Sequence, residues 1–355
     1  MFDIRLENIT KKFDAFTAVN NVTFTVPKSS VTVLLGPSGC GKTTLMRMIA
    51  GLESPTEGKI FFDNHEVTNV STKRRNIGMV FQYPVIYRGT SVRRNLELPL
   101  LSENLSKAEI TKRVDEVAEL LGLTDVLKRF VEELDNGTRQ KIAVGREVAR
   151  QTKIILFDEP ITNIDLTSKL ELKRSMKELF SRLQQTIVYV THDQTEAMTL
   201  ADQIALMQDG VITQSDSPKS IYEKPNSQFA GWFLGNPGMN FVPPQFIKIA
   251  GTKVTSTMFS QTIELGSKAV AADTFGVRAE GVTVSTSEVK GGVKAKVTRK
   301  SIGAGGQYLL DLAIENLLIK ARVPHSIGKS ANDSVWTTID SESITFFDKS
   351  GNTLT

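Results

Sequence analysis

The stretch VTVLLGPSGCGKTTLMRMIAG, residues 31–51, constrains this chain more than any other. Val31 to Leu35 read as a buried strand, a loop of the form G-x-x-x-x-G-K-[ST] follows, and a helical pattern opens near Lys42. Gly36, Gly39 and Gly41 let the backbone turn its N–H groups towards phosphate oxygens with no Cβ in the way. The helix adds its positive N-terminal end. Lys42 can reach the β- and γ-phosphates, and the Thr43 hydroxyl can ligate Mg²⁺. The expected phosphate-contacting set is therefore Gly36, Pro37, Ser38, Gly39, Cys40, Gly41, Lys42, Thr43 and Thr44. A chance glycine loop would lack the strand before it and the helix after it.

Two further strand ends converge on the same chemistry. In KIILFDEP, residues 153–160, the run Ile154 to Phe157 is expected as a central parallel strand that ends at Asp158, a carboxylate placed to hold Mg²⁺ through water. Glu159, next in line, is placed to polarise an attacking water; its bland alternative is a helix-cap or surface glutamate. TIVYVTHDQ, residues 186–194, reads as a third buried strand that delivers His192 to the same edge. Open α/β sheets bind ligands at the C-terminal ends of their strands, so a nucleotide is expected there.

Composition adds limits. At 355 residues the chain can hold one large and one smaller domain. A net charge of +4 is too small to argue for nucleic acid, which calls for a concentrated basic face. The single cysteine, Cys40, rules out an internal disulfide framework and reads as a small filler in the glycine loop. The start, MFDIRLENIT, lacks the features of a signal peptide, and no apolar run approaches the ~20 residues of a spanning helix. Any membrane role must come through a partner.

Residues 1–235 alternate short apolar runs with amphipathic stretches, the pattern of an α/β layer. A helical insert is expected over about 88–150. Within it, Ser106 and Glu109 form a capping box, Ile110, Val114, Val117 and Leu121 share one face, and Gly122 ends the helix. GNPGMNFVPPQF, residues 235–246, reads as a Gly/Pro-rich linker, so residues 236–246 separate the first domain from the second. Short alternating runs such as VKAKVTRK and LLIKARV then predict a small, mostly-β, barrel-like domain over 247–355.

The order of motifs resembles the ATPase subunit of ABC transporters, most of all the carbohydrate- and glycerol-phosphate-importer type. The resemblance rests on GPSGCGKTTLMRMIAGLESPTEGKI, GMVFQ, ILFDEP, TNID and YVTHDQTEAMTLADQIALM, continues through IYEKPNSQFAGWFLGNPGMNF, and is fainter in GVRAEG. It implies an α/β P-loop ATPase domain, with a mostly parallel sheet and a helical subdomain, followed by an OB-type β accessory domain. ATP and Mg²⁺ are the implied cofactors. Phe13 matches the aromatic that stacks on adenine; a core aromatic is the alternative reading. Gln82 matches a glutamine that senses Mg²⁺ and the attacking water, and Asp165 a nucleotide-contacting residue after the Glu159 loop. YPVIYRGTSVRRN, residues 83–95, would line a groove for a short permease helix, with core packing the alternative for any one of its apolar residues.

One motif departs. Where the family writes LSGGQ, whose serine and glycines face the γ-phosphate bound by a second subunit, this chain writes LDNGT: Asp135, Asn136, Gly137 and Thr138. Aspartate caps a helix as well as serine does, and asparagine tolerates left-handed backbone geometry. Yet a carboxylate ~4 Å from a phosphate charge is repelled by roughly 4 kcal/mol at an effective dielectric of ~20. Both readings hold together: the helix survives while service to the opposite site is lost. The implied partners are two permease subunits, a solute-binding protein and a second ATPase, a different chain and otherwise a copy of this one, at the cytoplasmic face of the membrane. A sugar, polyol or glycerol-like cargo follows from the resemblance alone. The alternatives are a non-transport ABC ATPase and a nucleotide-binding regulatory subunit with little turnover.

Overall fold

The computed structural model describes residues 2–162, 164–259 and 261–354. By its contacts the chain divides into two compact units, Met1–Lys219 and Ser220–Thr355. Among the described residues no helix is long and apolar enough to cross a membrane.

The first unit holds two sheets. One is antiparallel and built from β1 (Ile4–Phe13), β2 (Phe16–Val26), β4 (Glu57–Phe62) and β5 (His65–Glu66) in the order β2-β1-β4-β5; β3 (Val31–Leu35) belongs to the other. The second sheet adds β6 (Gly78–Val80), β7 (Ile154–Asp158), β8 (Thr186–Thr191), β9 (Gln203–Gln208) and β10 (Val211–Asp216), ordered β10-β9-β3-β8-β7-β6. Every pairing in it is parallel except β9 with β10. Strands β3, β7 and β8 are buried along their whole length, as their unbroken apolar runs require when both faces of a parallel sheet are covered.

Among the helices of this unit are α1 (Lys42–Ala50), α2 (Thr72–Arg75), α3 (Val92–Glu97), α4 (Lys107–Leu120), α5 (Asn136–Ala149), α6 (Leu166–Arg182) and α7 (Gln194–Leu200). Helix α4 carries the expected capping box between Ser106 and Glu109. Its Val114 and Val117, with Leu121 just beyond it, are buried, Ile110 is half-buried, and Gly122 turns the chain at φ +63°. Arg75 closes the far end of α1. Its buried guanidinium donates to the Met48 and Ile49 carbonyls, both at 2.7 Å, and burial lowers its pKa to about 10.

The second unit is mostly β, the OB-type accessory architecture. Its largest sheet pairs Val293–Ile302, Tyr308–Ile314 and Leu317–Val323 as an antiparallel meander, extended by Ser334–Ile339 and Val282–Ser285. Leu310, Leu312, Ile319, Ala321 and Phe275 lie in its core. The stretch expected as a linker is part of this unit. Asn240–Val242 pairs antiparallel with Thr274–Val277, and the preceding residues are tied down by Arg278, which donates to Gly231 O at 2.9 Å and Tyr222 O at 2.8 Å. Within that Gly/Pro-rich stretch, three consecutive strand residues were enough to join a sheet edge.

Candidate active site

Parallel register brings the chemistry together. Leu35 pairs with Thr191, and Asp158 with Val190, so Gly36, Glu159 and His192 leave the sheet side by side at its C-terminal edge. Val80 pairs with Phe157, which sets Gln82 at the end of β6 as Glu159 stands at the end of β7. Gln82 is half-buried there.

The loop itself is shaped by close approach. A Cβ on Gly36 would stand 2.2 Å from the Met207 carbonyl oxygen, and one on Gly41, which has φ +104°, 2.3 Å from that of Ala18. No larger residue fits either place. Gly41 caps α1 without a side-chain bond, so the first N–H groups of the helix, at Lys42, Thr43 and Thr44, have no intrahelical partner. Ser38 and Gly39 are exposed and Pro37 half-buried, whereas Cys40 is buried, as a filler should be. The Lys42 amine spans the loop, donating to the Gly36 carbonyl at 2.9 Å and the Pro37 carbonyl at 2.7 Å. Burying an ammonium to 4% exposure is tolerable only with such partners.

Thr43 Oγ1 donates to Asp158 Oδ1 at 3.1 Å. Burial pushes the Asp158 carboxyl above its ordinary range, against the pull of the Thr43 hydroxyl, Arg47 and Lys42. A hydroxyl and a buried carboxylate side by side, with Gln82 just past the end of the neighbouring strand, are oxygen donors of the kind Mg²⁺ takes.

Glu159 is held at φ +43°, a conformation rarely taken by a non-glycine residue, and its N–H donates to the Val190 carbonyl at 3.1 Å. The side chain lies 3.2 Å from His192 Nδ1 and accepts from the Thr162 hydroxyl at 3.3 Å. His192 in turn precedes a network that sequence reading missed. Lys169 of α6 bonds Asp193 at 2.9 Å and Glu196 at 3.2 Å, while Glu196 also accepts from Tyr189 and Thr191, both at 2.9 Å. Burial pulls the Lys169 amine down, but these carboxylates outweigh it and hold it above its ordinary range. The one local signal was Asp193 followed three residues on by Glu196, a helix-start pattern; Asp193 does cap α7.

Asp135, Asn136, Gly137 and Asp165 form a separate cluster. Asp135 caps α5: Oδ1 accepts the Thr138 N–H at 2.8 Å and Oδ2 the Thr138 hydroxyl at 2.8 Å. Burial alone would raise its carboxyl, yet these Thr138 bonds hold it below the ordinary range. Asn136 is the first residue of the helix and has no positive φ, so its tolerance of left-handed geometry is not used. Gly137 is needed for another reason, since a Cβ there would meet Ser168 Cβ at 2.5 Å. Ser168 sits in the first turn of α6, which Asp165 caps by accepting the Ser168 N–H at 3.0 Å. Asn163, in the TNID stretch, lies outside the described residues. Phe13 is 44% exposed beside Lys11, whose amine lies 4.8 Å from its ring centroid, so it is no core aromatic. Tyr83, Val85 and Tyr87 are likewise exposed, and Tyr83 and Val85 line a groove of about 570 Å³ that also takes in Asn136 and Arg139.

A strand-end glutamate paired with histidine, beside a glycine loop and a Thr–Asp pair, is the arrangement of a nucleotide-hydrolysing site. The pattern of the family described as ABC transporter matches residues 19–162. The oligosaccharides import ATP-binding protein MsmX of Bacillus subtilis is 34% identical, with the match covering 98% of each chain. This chain belongs to the ABC transporter ATP-binding proteins. The trehalose/maltose import ATP-binding protein MalK of Thermococcus litoralis is 43% identical over 248 residues, about two thirds of each chain. Among solved structures, a dimeric ATP-binding cassette in a post-hydrolysis state bound to ADP and Pi superposes with a TM-score of 0.54 at 28% identity, covering 61% of this chain and 98% of the other. An ABC ATPase of this kind binds ATP.

Proposed function

We propose that this chain is the ATP-hydrolysing subunit that powers solute import through a partner permease, held at the cytoplasmic face of the membrane by that permease. The observation that carries it is the Glu159–His192 pair standing next to the Thr43–Asp158 pair at one sheet edge, in a chain similar along 98% of its length to an oligosaccharide-import subunit.

Each residue has a task in this reading. The loop N–H groups and Lys42 bind the β- and γ-phosphates, and Phe13 stacks on adenine. Thr43 and Asp158 would hold Mg²⁺, which would supply neutralisation of phosphate charge. Gln82 orients the attacking water, the Glu159 carboxylate takes up its proton, and His192 holds Glu159 in place and faces the γ-phosphate. Tyr83 to Tyr87 receive a permease helix. The transporter comprises two permease subunits, a solute-binding protein and a second ATPase.

That second ATPase is a different chain with an unaltered signature, and a copy of this one only where no other is made. The reading is supported by Asp135, whose carboxylate closes the helix N-terminus that would otherwise donate to the opposite γ-phosphate. The cargo is a sugar, polyol or glycerol-like solute.

The test is purification from membranes. The expected result is a complex of this chain with two permease subunits and a second ATPase, whose ATP turnover rises when solute-loaded binding protein is added. A chain recovered with ribosomes or DNA and no permease would replace this reading by the non-transport one.

A further inference from the structure

The segment from Phe81 to Tyr87 presents exposed apolar side chains, yet its backbone is held from beneath by three buried polar ones. Gln140 Nε2 donates to the Phe81 carbonyl at 3.1 Å. Arg146 Nη1 donates to the Val85 carbonyl. Asn95 takes both backbone groups of Tyr87, accepting from its N–H at 2.8 Å and donating to its carbonyl at 3.0 Å. These side chains are 1%, 8% and 0% exposed, a burial that polar groups take only where their bonds compensate for lost water.

Gln140 and Arg146 lie on α5, the helix whose first turn is closed by Asp135 and Thr138. One helix thus grips the residue beside Gln82 at one end and the docking segment at the other. Of the two, Arg146 makes the firmer joint. Its guanidinium also lies over the Tyr87 ring, 4.3 Å from the centroid, and its Nε has no partner among the described residues. It therefore has two attachments to the segment and nothing to fall back on. If the segment moved without the helix, a buried charge would lose both contacts. The two must move together.

We propose that Arg146 is a positioning residue that passes a displacement of the docking segment to the signature helix, and passes nucleotide occupancy at Gln82 the other way. The inference rests on the proposed reading of 83–87 as the permease-docking segment. By linkage the coupling is reciprocal, so it is measurable without the permease.

The experiment is hydrogen exchange of the full chain in the Glu159→Gln background, with and without Mg-ATP, at a concentration that keeps it monomeric. In that background ATP is expected to slow exchange in residues 36–44, in 81–88 and in the first turns of α5. Adding Arg146→Met should leave the first effect intact and cut the third severalfold, the Gln140 bond to Phe81 carrying what remains, with amides of 85–88 exchanging roughly tenfold faster in both states. Arg146→Lys, which keeps a cation over the Tyr87 ring, should recover part of the transmission. An ATP effect that reaches α5 undiminished in Arg146→Met overturns the inference, as does faster exchange spread evenly through β3 and β8, which would make Arg146 merely structural. Absence of ATP protection at 36–44 before Arg146 is touched would bring down the nucleotide reading and the inference with it; protection there without an Arg146-dependent step overturns the inference alone.

Discussion

His192 Nδ1 stands 3.2 Å from Glu159 Oε2, although 33 residues separate the two in the chain. The carboxylate is therefore oriented by the neighbouring strand end, and its basicity towards water is the quantity to test. Glu159→Gln keeps the shape and the contact to Thr162 but cannot accept a proton. ATP binding should be retained while turnover of the assembled transporter falls on the order of a hundredfold or more. Unchanged turnover would remove Glu159 from the chemistry.

Lys42 is buried across its own loop, in reach of both the Gly36 and Pro37 carbonyls. Lys42→Ala should weaken ATP binding roughly tenfold to a hundredfold, the loss of charge-assisted bonds to phosphate, as read by titration with a fluorescent ATP analogue. Binding equal to the parent would mean that the loop does not cradle phosphate.

Tyr83, Val85 and Tyr87 are exposed by 69%, 56% and 49%, an apolar surface that a helix could cover. Val85→Asp places a charge in that surface and should uncouple transport from ATP turnover while leaving the isolated chain's ATP affinity within about twofold. Coupled transport at the parental rate would rule the segment out as the docking site.

Asp135 uses both carboxylate oxygens on Thr138. Asp135→Ser with Asn136→Gly keeps a cap, removes the charge and opens the approach to the helix N-terminus. In the Glu159→Gln background, where ATP persists, sedimentation should show ATP-dependent homodimers strengthened about tenfold or more. Asp135→Asn alone should recover part of this. Parental dimers closing on ATP as tightly as the repaired ones would leave Asp135 a cap and nothing else, and the case for a different second ATPase would lose its support.

The same carboxylate carries a pH signature. The folded Asp135 is held below its ordinary range, so it binds a proton less readily folded than unfolded. Its stabilising contribution is then present above the unfolded value, about 3.9, and is lost as pH falls through the lower folded value. The melting temperature of Asp135→Ser should match the parent's trend above pH 5 and decline less steeply below pH 4. Identical acid slopes would show that the Thr138 bonds contribute nothing measurable.

What the sequence determined by itself is the chemistry written in contiguous residues. Strand, glycine loop and helix from Val31 to Ala50 follow one another along the chain, and each choice there is enforced by its immediate neighbours, as are the Ser106–Glu109 box and the Asp135 cap. The strand ends at Asp158 and His192 were legible too, because unbroken apolar runs announce buried parallel strands. The pairings across the chain were decided only by tertiary structure. Glu159 meets His192 because β7 and β8 pair in register, Gly137 is required because α6 brings Ser168 against it, and Asn240–Val242 is a strand because an edge stood ready to pair with it. Arg146 illustrates the divide best. Nothing near it in sequence distinguishes it from a solvated arginine, and its contact with Val85, 61 residues away, exists only once α5 has packed. Local hydrogen bonds leave a trace in residue spacing; a contact made by packing distant segments leaves none in either segment alone.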